Sequence, residues 1–264
     1  STVTPLALDG SRENLYVGRA EAYVLHVALA DTEPPAVKGG YVVTTPTTAV
    51  TELGFLSGDR SLVVMTAEGE VSTWGLIRRA DDQSRWRLTK MHTFRSHSAP
   101  VTAFAPSHRV KGFVTADAKG QIFLHHATAE QTWLKLSNDD SAIRAVTFAP
   151  KGDGLITFDA VGQLTLYQLH NAYPEVTFET LFGRVWYEGY DQPTHVWQSS
   201  SGSDDFEPKL GLMPLTFGTL KGTMYALLLA VPIAILAAMC TSQFMHPDLR
   251  AKIKPVIEVM AALP

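Results

Sequence analysis

Cysteine is almost missing from this 264-residue chain. The single Cys240 excludes an intrachain disulfide and any zinc site of the CxxC type. A secretory leader is missing from the start, since STVTPLALDG has neither a basic head nor a long apolar core. A targeting element is therefore expected outside this chain, or the chain is expected to begin inside a longer protein. Enzyme signatures are lacking too: no GxSxG elbow, no P-loop and no GxGxxG run occurs. No His, Asp and Arg set converges into a metal or quinone site. The run SSSGS at 199–203 has the composition of a phosphate cradle, but Asp204, Asp205 and Glu207 follow it and would repel an anion. A flexible, turn-rich linker is expected there. The expectation is a protein that is not an enzyme and carries no cofactor and no metal.

Positive charge is scarce in the front of the chain. From Leu210 onward four cations and two acids leave a balance of +2, and the whole chain is −4, so residues 1–209 hold −6. That balance excludes a broad nucleic-acid surface, which needs clustered Lys and Arg.

What the sequence does contain is repetition. VTAFAPSHRVKGFVTADAKGQIFLHH (101–126) matches AVTFAPKGDGLITFDAVGQLTLYQLH (145–170) in order and type, with FAP triplets 44 residues apart. LGFLSGDRSLVVMTAEGEVSTWGL (53–76) has the same layout, and LYVGRAEAYVLHV (15–27) reads as the second half of one more unit. Each unit gives strand, turn, strand, turn, strand, with the third strand ending on a ring: His26, Trp74, His125 and Tyr167. Their separations of 48, 51 and 42 residues lie near the period of about 40–45 for a four-stranded propeller blade. Gly69, Gly120 and Gly162 stand five residues before three of these rings, where a tight turn needs positive φ.

FRSHSAPVTAFAP (94–106) followed by TADAKGQIFLHH resembles a WD-repeat blade, with Ser96-His97 where that family usually has Gly-His. Only one unit ends on Trp, as STW at 72–74, and no WD dipeptide occurs, so the likeness is to divergent WD-repeat or YVTN-like propellers. The fold expected for residues 1–184 is mainly β, a partial β-propeller with blades missing before Ser1; a β-sandwich is the rival. Within it, His125 and His126 are neighbours on a strand and point to opposite faces, so they cannot easily share a metal; one is expected packed and the other exposed. His97 is expected to bond within its blade, and Asp81-Asp82 and Asp139-Asp140 to be solvated turns. Trp186, Tyr187, Tyr190 and Trp197, in the linker expected at 185–209, either cover the last blade or form an interfacial belt.

Between Lys221 and Asp248 lie 26 residues without a formal charge, and Met224 to Cys240 is an unbroken apolar run of 17. A helix of roughly 20 residues crosses a hydrocarbon core of about 30 Å. A buried soluble helix usually shows a polar stripe, and this run has none. Pro232 disfavours a soluble helix but is tolerated in a membrane span. A span is expected at about 220–242, followed by a basic loop with Arg250, Lys252 and Lys254, and a second helix beginning near 255. The acidic SGSDDFEPK before the span and the basic loop after it place the loop in the cytoplasm and the β-rich part outside.

GLMPLTFGTLKGTMYALLLAVPIAILAAM, the basic loop and KPVIEVMAALP together resemble the start of an ABC importer permease, most closely the phosphate importer permease of the PstC type. The matching features are MPLTFGTL, AVPIAI and PVIEVMAALP, over about residues 208–264. Some bacterial members resemble this chain further, with a large propeller-like insert outside the membrane. The resemblance implies a multi-pass subunit of the bacterial inner membrane with a periplasmic propeller and no catalysis of its own. Its partners would be cytoplasmic ATPase subunits, a second permease subunit, a periplasmic phosphate-binding protein and membrane lipid. Arg250, Lys252 and Lys254 would then set topology rather than contact the ATPase. Lys221 would either attract an incoming anion or snorkel at the outer end of the span. The family's ATPase-docking loop has no counterpart within these 264 residues. The other reading is a membrane-anchored propeller serving as an interaction scaffold.

Overall fold

The computed structural model describes residues 5–29, 34–45, 48–78, 86–137, 141–170, 173–200 and 207–262. Asp81-Asp82, Asp139-Asp140 and residues 201–206 lie outside them. The chain divides into two units, Ser1–Leu212 and Met213–Pro264.

In the first unit, runs of β-branched and aromatic residues broken by turn residues form antiparallel sheets of consecutive strands. The first sheet contains β1 (Leu6–Leu8), β2 (Asn14–Gly18), β3 (Tyr23–Ala28) and β4 (Ala36–Val42). The second contains β5 (Val50–Phe55), β6 (Ser61–Thr66), β7 (Val71–Arg78) and β8 (Trp86–Thr93). The third contains β9 (Val101–Pro106), β10 (Gly112–Asp117), β11 (Gln121–His126) and β12 (Gln131–Ser137). The fourth has three strands, β13 (Ile143–Phe148), β14 (Gly154–Asp159) and β15 (Leu164–Gln168). A propeller-like arrangement fits these meandering sheets. The first unit of the repeat is more than the half expected from 15–27, because β1 and β4 complete its sheet.

Three cores stack the sheets in sequence. Tyr16 and Val24 meet Leu62, Val64 and Trp74 between the first and second sheets. Val63, Met65 and Val71 meet Val101 and Phe113 between the second and third. Val114, Ala116, Ile122 and Leu124 meet Ile143 and Leu155 between the third and fourth. The second and third sheets thus each use one set of alternate residues against their predecessor and the other against their successor. Gly54 lies where Phe104 packs: a Cβ there would come within 2.3 Å of the ring.

The repeat is reproduced down to its irregularities. Strands one and two of the last three sheets shift register between Val50 and Glu52, Ala116 and Asp117, and Ile143 and Ala145. Strands three and four shift between His26 and Val27, Thr73 and Trp74, and Leu124 and His125. Gly69, Gly120 and Gly162 have φ of +82°, +79° and +89°, as their spacing requires. At Gly69 the turn also presses on the loop before β9, since a Cβ would lie 2.5 Å from the His97 carbonyl oxygen.

One ring of the expected series is out of place. The corresponding turn residue of the first sheet is Ala22, at φ 61°, and His26 follows it by four residues rather than five. Pairing confirms the offset: Trp74, His125 and Tyr167 lie opposite Leu62, Phe113 and Leu155, and the matching pair is Leu15 with Val27. His26 pairs with Tyr16 and stacks on it at 4.9 Å, on the face turned towards the second sheet.

After β15 the chain forms the short helix α1 (Phe178–Phe182) and a two-stranded pairing of β16 (Trp197–Gln198) with β17 (Lys209–Leu210). The described parts of the stretch expected as a linker, 185–200 and 207–209, are bonded to the sheets through Glu188 and Glu207 and belong to the first unit. In the second unit, α2 (Met213–Met239) continues through a π-helical turn, Cys240–Phe244, and α3 spans Pro247–Ala262. The second helix therefore starts at Pro247, suited to a first helical turn by its missing N–H, rather than near 255. Arg250, Lys252 and Lys254 lie in its first turns and not in a loop.

Candidate functional site

Helix α2 with its π-helical turn is the feature that asks for a function. It runs 32 residues, Met213–Phe244, is long and apolar enough to cross a membrane, and its most apolar stretch has no buried residue. Its length of about 48 Å exceeds a hydrocarbon core of about 30 Å. Several of its hydroxyls bond back to the helix: Thr219 donates to the Leu215 carbonyl at 3.0 Å, Thr223 to Thr219 at 2.8 Å and Thr241 to Ala237 at 2.8 Å. Pro232 sits within continuous helix. Lys221 holds its ammonium 5.7 Å from the Tyr225 ring one turn on; among the described residues no further polar group joins it. The Arg250 guanidinium donates to the Ser242 carbonyl at 3.2 Å, tying the π-helical turn to α3. Lys254 pairs with Glu258 at 3.8 Å on an exposed surface.

The first unit holds two buried polar networks. In the third sheet the Asp117 carboxylate accepts from the Lys119 and Gln121 amides, both at 2.9 Å, and lies 3.2 Å from His97 Nδ1. His97 Nε2 is 2.7 Å from Thr115 Oγ1, which is 2.8 Å from His125 Nε2. His125 Nδ1 is 2.8 Å from Thr132 Oγ1. One proton arrangement satisfies the whole chain with both imidazoles neutral. His97 Nδ1–H donates to Asp117, Thr115 O–H to His97, His125 Nε2–H to Thr115, and Thr132 O–H to His125. Burial favours the same state, lowering both rings below the ordinary histidine range, with the Asp117 charge opposing this at His97. The network ties the entry loop to strands two, three and four, so His97 bonds within its own repeat unit. His126 is buried as well as His125, contrary to the expectation of one exposed ring.

The second network fastens the segment after α1. Lys111 Nζ donates to the Ser57 carbonyl at 2.5 Å and to Glu188 Oε2 at 2.6 Å, with both side chains more than nine-tenths buried. Glu207 accepts from Thr128 Oγ1 at 2.5 Å and from the Glu188 amide at 2.9 Å. Burial and the neighbouring Glu188 carboxylate raise the Glu207 pKa. Lys209 donates to Gln198 at 3.0 Å and lies over the Tyr187 and Tyr190 rings. Tyr187 is buried, and Trp186 Nε1 donates to the Tyr190 carbonyl at 3.0 Å. The segment carrying these aromatics is tied to the Ser57, Lys111 and Thr128 loops of the second and third sheets through Glu188 and Glu207, while Trp197 is exposed. Nothing in the sequence pairs Lys111 with Glu188, 77 residues away.

Among the described residues no group of three His, Cys, Asp or Glu could hold a metal ion. Two cavities between sheets are modest: one of about 340 Å³ includes Arg109, Trp133 and Lys151 in its lining, and one of about 280 Å³ includes Asp59, Arg60 and Trp74. Ser107 and His125 both line the first, but the two His125 ring nitrogens are taken by Thr115 and Thr132.

No protein-family model matches the chain, and no curated protein matches it. Among solved structures it is similar to the computationally designed Ika4 protein, at 15% identity and a TM-score of 0.51, over 64% of this chain and 93% of that one. At that identity the likeness concerns fold alone.

Proposed function

We propose that the chain is part of the permease subunit of an ATP-driven ABC importer, with inorganic phosphate as its substrate. The observation that carries this reading is the helix Met213–Phe244, apolar on every side and nowhere buried in its most apolar stretch. A helix of that kind has its complement in lipid or in other membrane helices, not in water. The resemblance of MPLTFGTL, AVPIAI and PVIEVMAALP to importer permeases supplies the transporter class and the substrate. In this reading α2 enters from the periplasmic side of a bacterial inner membrane, and Arg250, Lys252 and Lys254 hold its far end in the cytoplasm. The β-rich unit, a partial propeller, stands outside. ATP hydrolysis belongs to separate ATPase subunits, and a second permease subunit and a periplasmic phosphate-binding protein complete the assembly. Lys221, towards the outer end of α2, offers an arriving anion the one positive charge of that helix.

The test is genetic. Removing the gene from a strain with no other phosphate importer should abolish uptake, and restoring it should return uptake. Unchanged uptake removes the substrate assignment. A second reading, a membrane-anchored interaction scaffold, draws on the exposed Leu164 and Leu166 of β15 in the fourth sheet. It predicts unaltered uptake together with loss of a protein assembly.

A further inference from the structure

We propose that the outer edges of the first two sheets form a binding surface for anionic lipid headgroups. An open groove of about 550 Å³ runs between β4 and β8, lined by Lys38, Arg87 and Lys90 with Tyr41, Trp74 and Trp86 among them. Arg78, at the end of β7, places its guanidinium 4.9 Å from the Trp86 ring centroid. Within the strands charge is of one sign: β4, β8 and β12 carry Lys38, Arg87, Lys90 and Lys135 and no Asp or Glu, and the neighbouring Glu130 accepts from the Thr93 amide at the end of β8. Among the described residues none of Lys38, Arg78, Arg87 and Lys90 forms an ion pair. This occurs in the part of the chain that is acidic overall.

Edge strands often carry lysine to block pairing with other sheets, and that accounts for single cations. It does not account for Trp86 at 55% exposure, or for Val37 at 64% and Val42 at 53%, on the same two strands. Cations that pair with phosphodiesters, beside an indole and small apolar side chains, match the layered chemistry of a bilayer interface. The acidic face of a protein would answer the charges but leave the exposed apolar side chains unexplained. Insertion of α2 into a bilayer, a premise shared with the transport reading, keeps lipid at high local concentration. The surface itself does not depend on transport.

The test uses the full chain in lipid nanodiscs of phosphatidylcholine, with and without phosphatidylglycerol. Recovery of the chain with intact discs reports insertion separately, so failure there counts against the shared membrane premise. Acylation of Lys38 and Lys90 by a water-soluble reagent is then followed by mass spectrometry, with exposed Lys119 as reference. Phosphatidylglycerol should slow the labelling of Lys38 and of Lys90 by about fivefold each, and leave Lys119 unchanged. The protection should vanish in about 1 M salt and weaken in Arg87→Glu, whose exposed side chain allows an unchanged thermal melt to confirm folding. Equal rates in the two discs overturn the proposal, as does protection that persists in high salt. Protection by inorganic phosphate in phosphatidylcholine discs also overturns it, in favour of a free-anion site.

Discussion

The buried imidazoles of the first unit connect side-chain position to a pH response. His26, His92, His97, His125 and His126 are all buried, and burial lowers each below its ordinary range, to about 4 for His92 and for His126. Between that value and about 6.5 the unfolded chain takes up protons that the folded chain refuses, so stability falls as pH falls through this window. Each of these two rings contributes up to roughly 3 kcal/mol to the loss. Glu207, raised by burial, works in the opposite sense: its contribution is greatest at low pH and is lost as pH rises above its unfolded value. Two strongly shifted rings outweigh one acid. Thermal melts read by tryptophan fluorescence should therefore drop steadily from pH 7 to 4.5, and His126→Gln should flatten the slope. All five tryptophans lie before Met213, so the signal reports the β-rich unit. A level profile would show that the rings are charged in the fold.

At the scale of elements, residues 185–200 and 207–211 are held by chemistry that composition does not reveal. Gly, Ser and acidic residues near 200 read as a linker, yet Lys111, Glu188, Glu207 and Thr128 anchor its flanks. Lys111→Met should destabilise the β-rich unit by about 3–5 kcal/mol, because it leaves the Glu188 carboxylate buried and unpaired. The double variant Lys111→Met with Glu188→Leu should recover much of that loss in urea unfolding; recovery of nothing would mean that the pair is not the anchor. The strands are far easier to read. Period-two alternation, the FAP triplets and the glycines at 69, 120 and 162 locate the inner strands of the repeat, since positive φ leaves a residue-type signature. Where Ala22 replaces the glycine, that signature disappears, and His26 is taken for the matching position that Val27 holds. Bulges at Thr73/Trp74 and Leu124/His125 leave no mark in residue type. The same limit applies at the far end: apolarity reveals α2, but charge alone makes a loop of 246–254, where Pro247 and helix-compatible residues begin α3.

At the scale of the whole β-rich unit, identical register positions meet different fates at its two ends. Val114 pairs with Leu124 and Ile156 with Leu166, each on the face turned to the next sheet. Leu124 is fully buried because the fourth sheet covers it; Leu166 is 69% exposed, beside Leu164 at 67% and Phe158 at 40%. The first sheet is likewise open on its far side, with Leu6 at 60% and Leu8 at 47% exposed. An apolar sheet face without a partner invites association, so the stack of sheets has unsatisfied ends. Leu124→Ala should cost about 2–5 kcal/mol. Leu166→Ala should stay within about 0.5 kcal/mol if its face is open in solution. Should the two substitutions cost alike in urea unfolding, with the Leu166 effect growing with protein concentration, the face is covered by another protein surface under those conditions. Leu164→Glu should then abolish the concentration dependence while Leu124→Ala leaves it intact, separating a covered end from a weakened core.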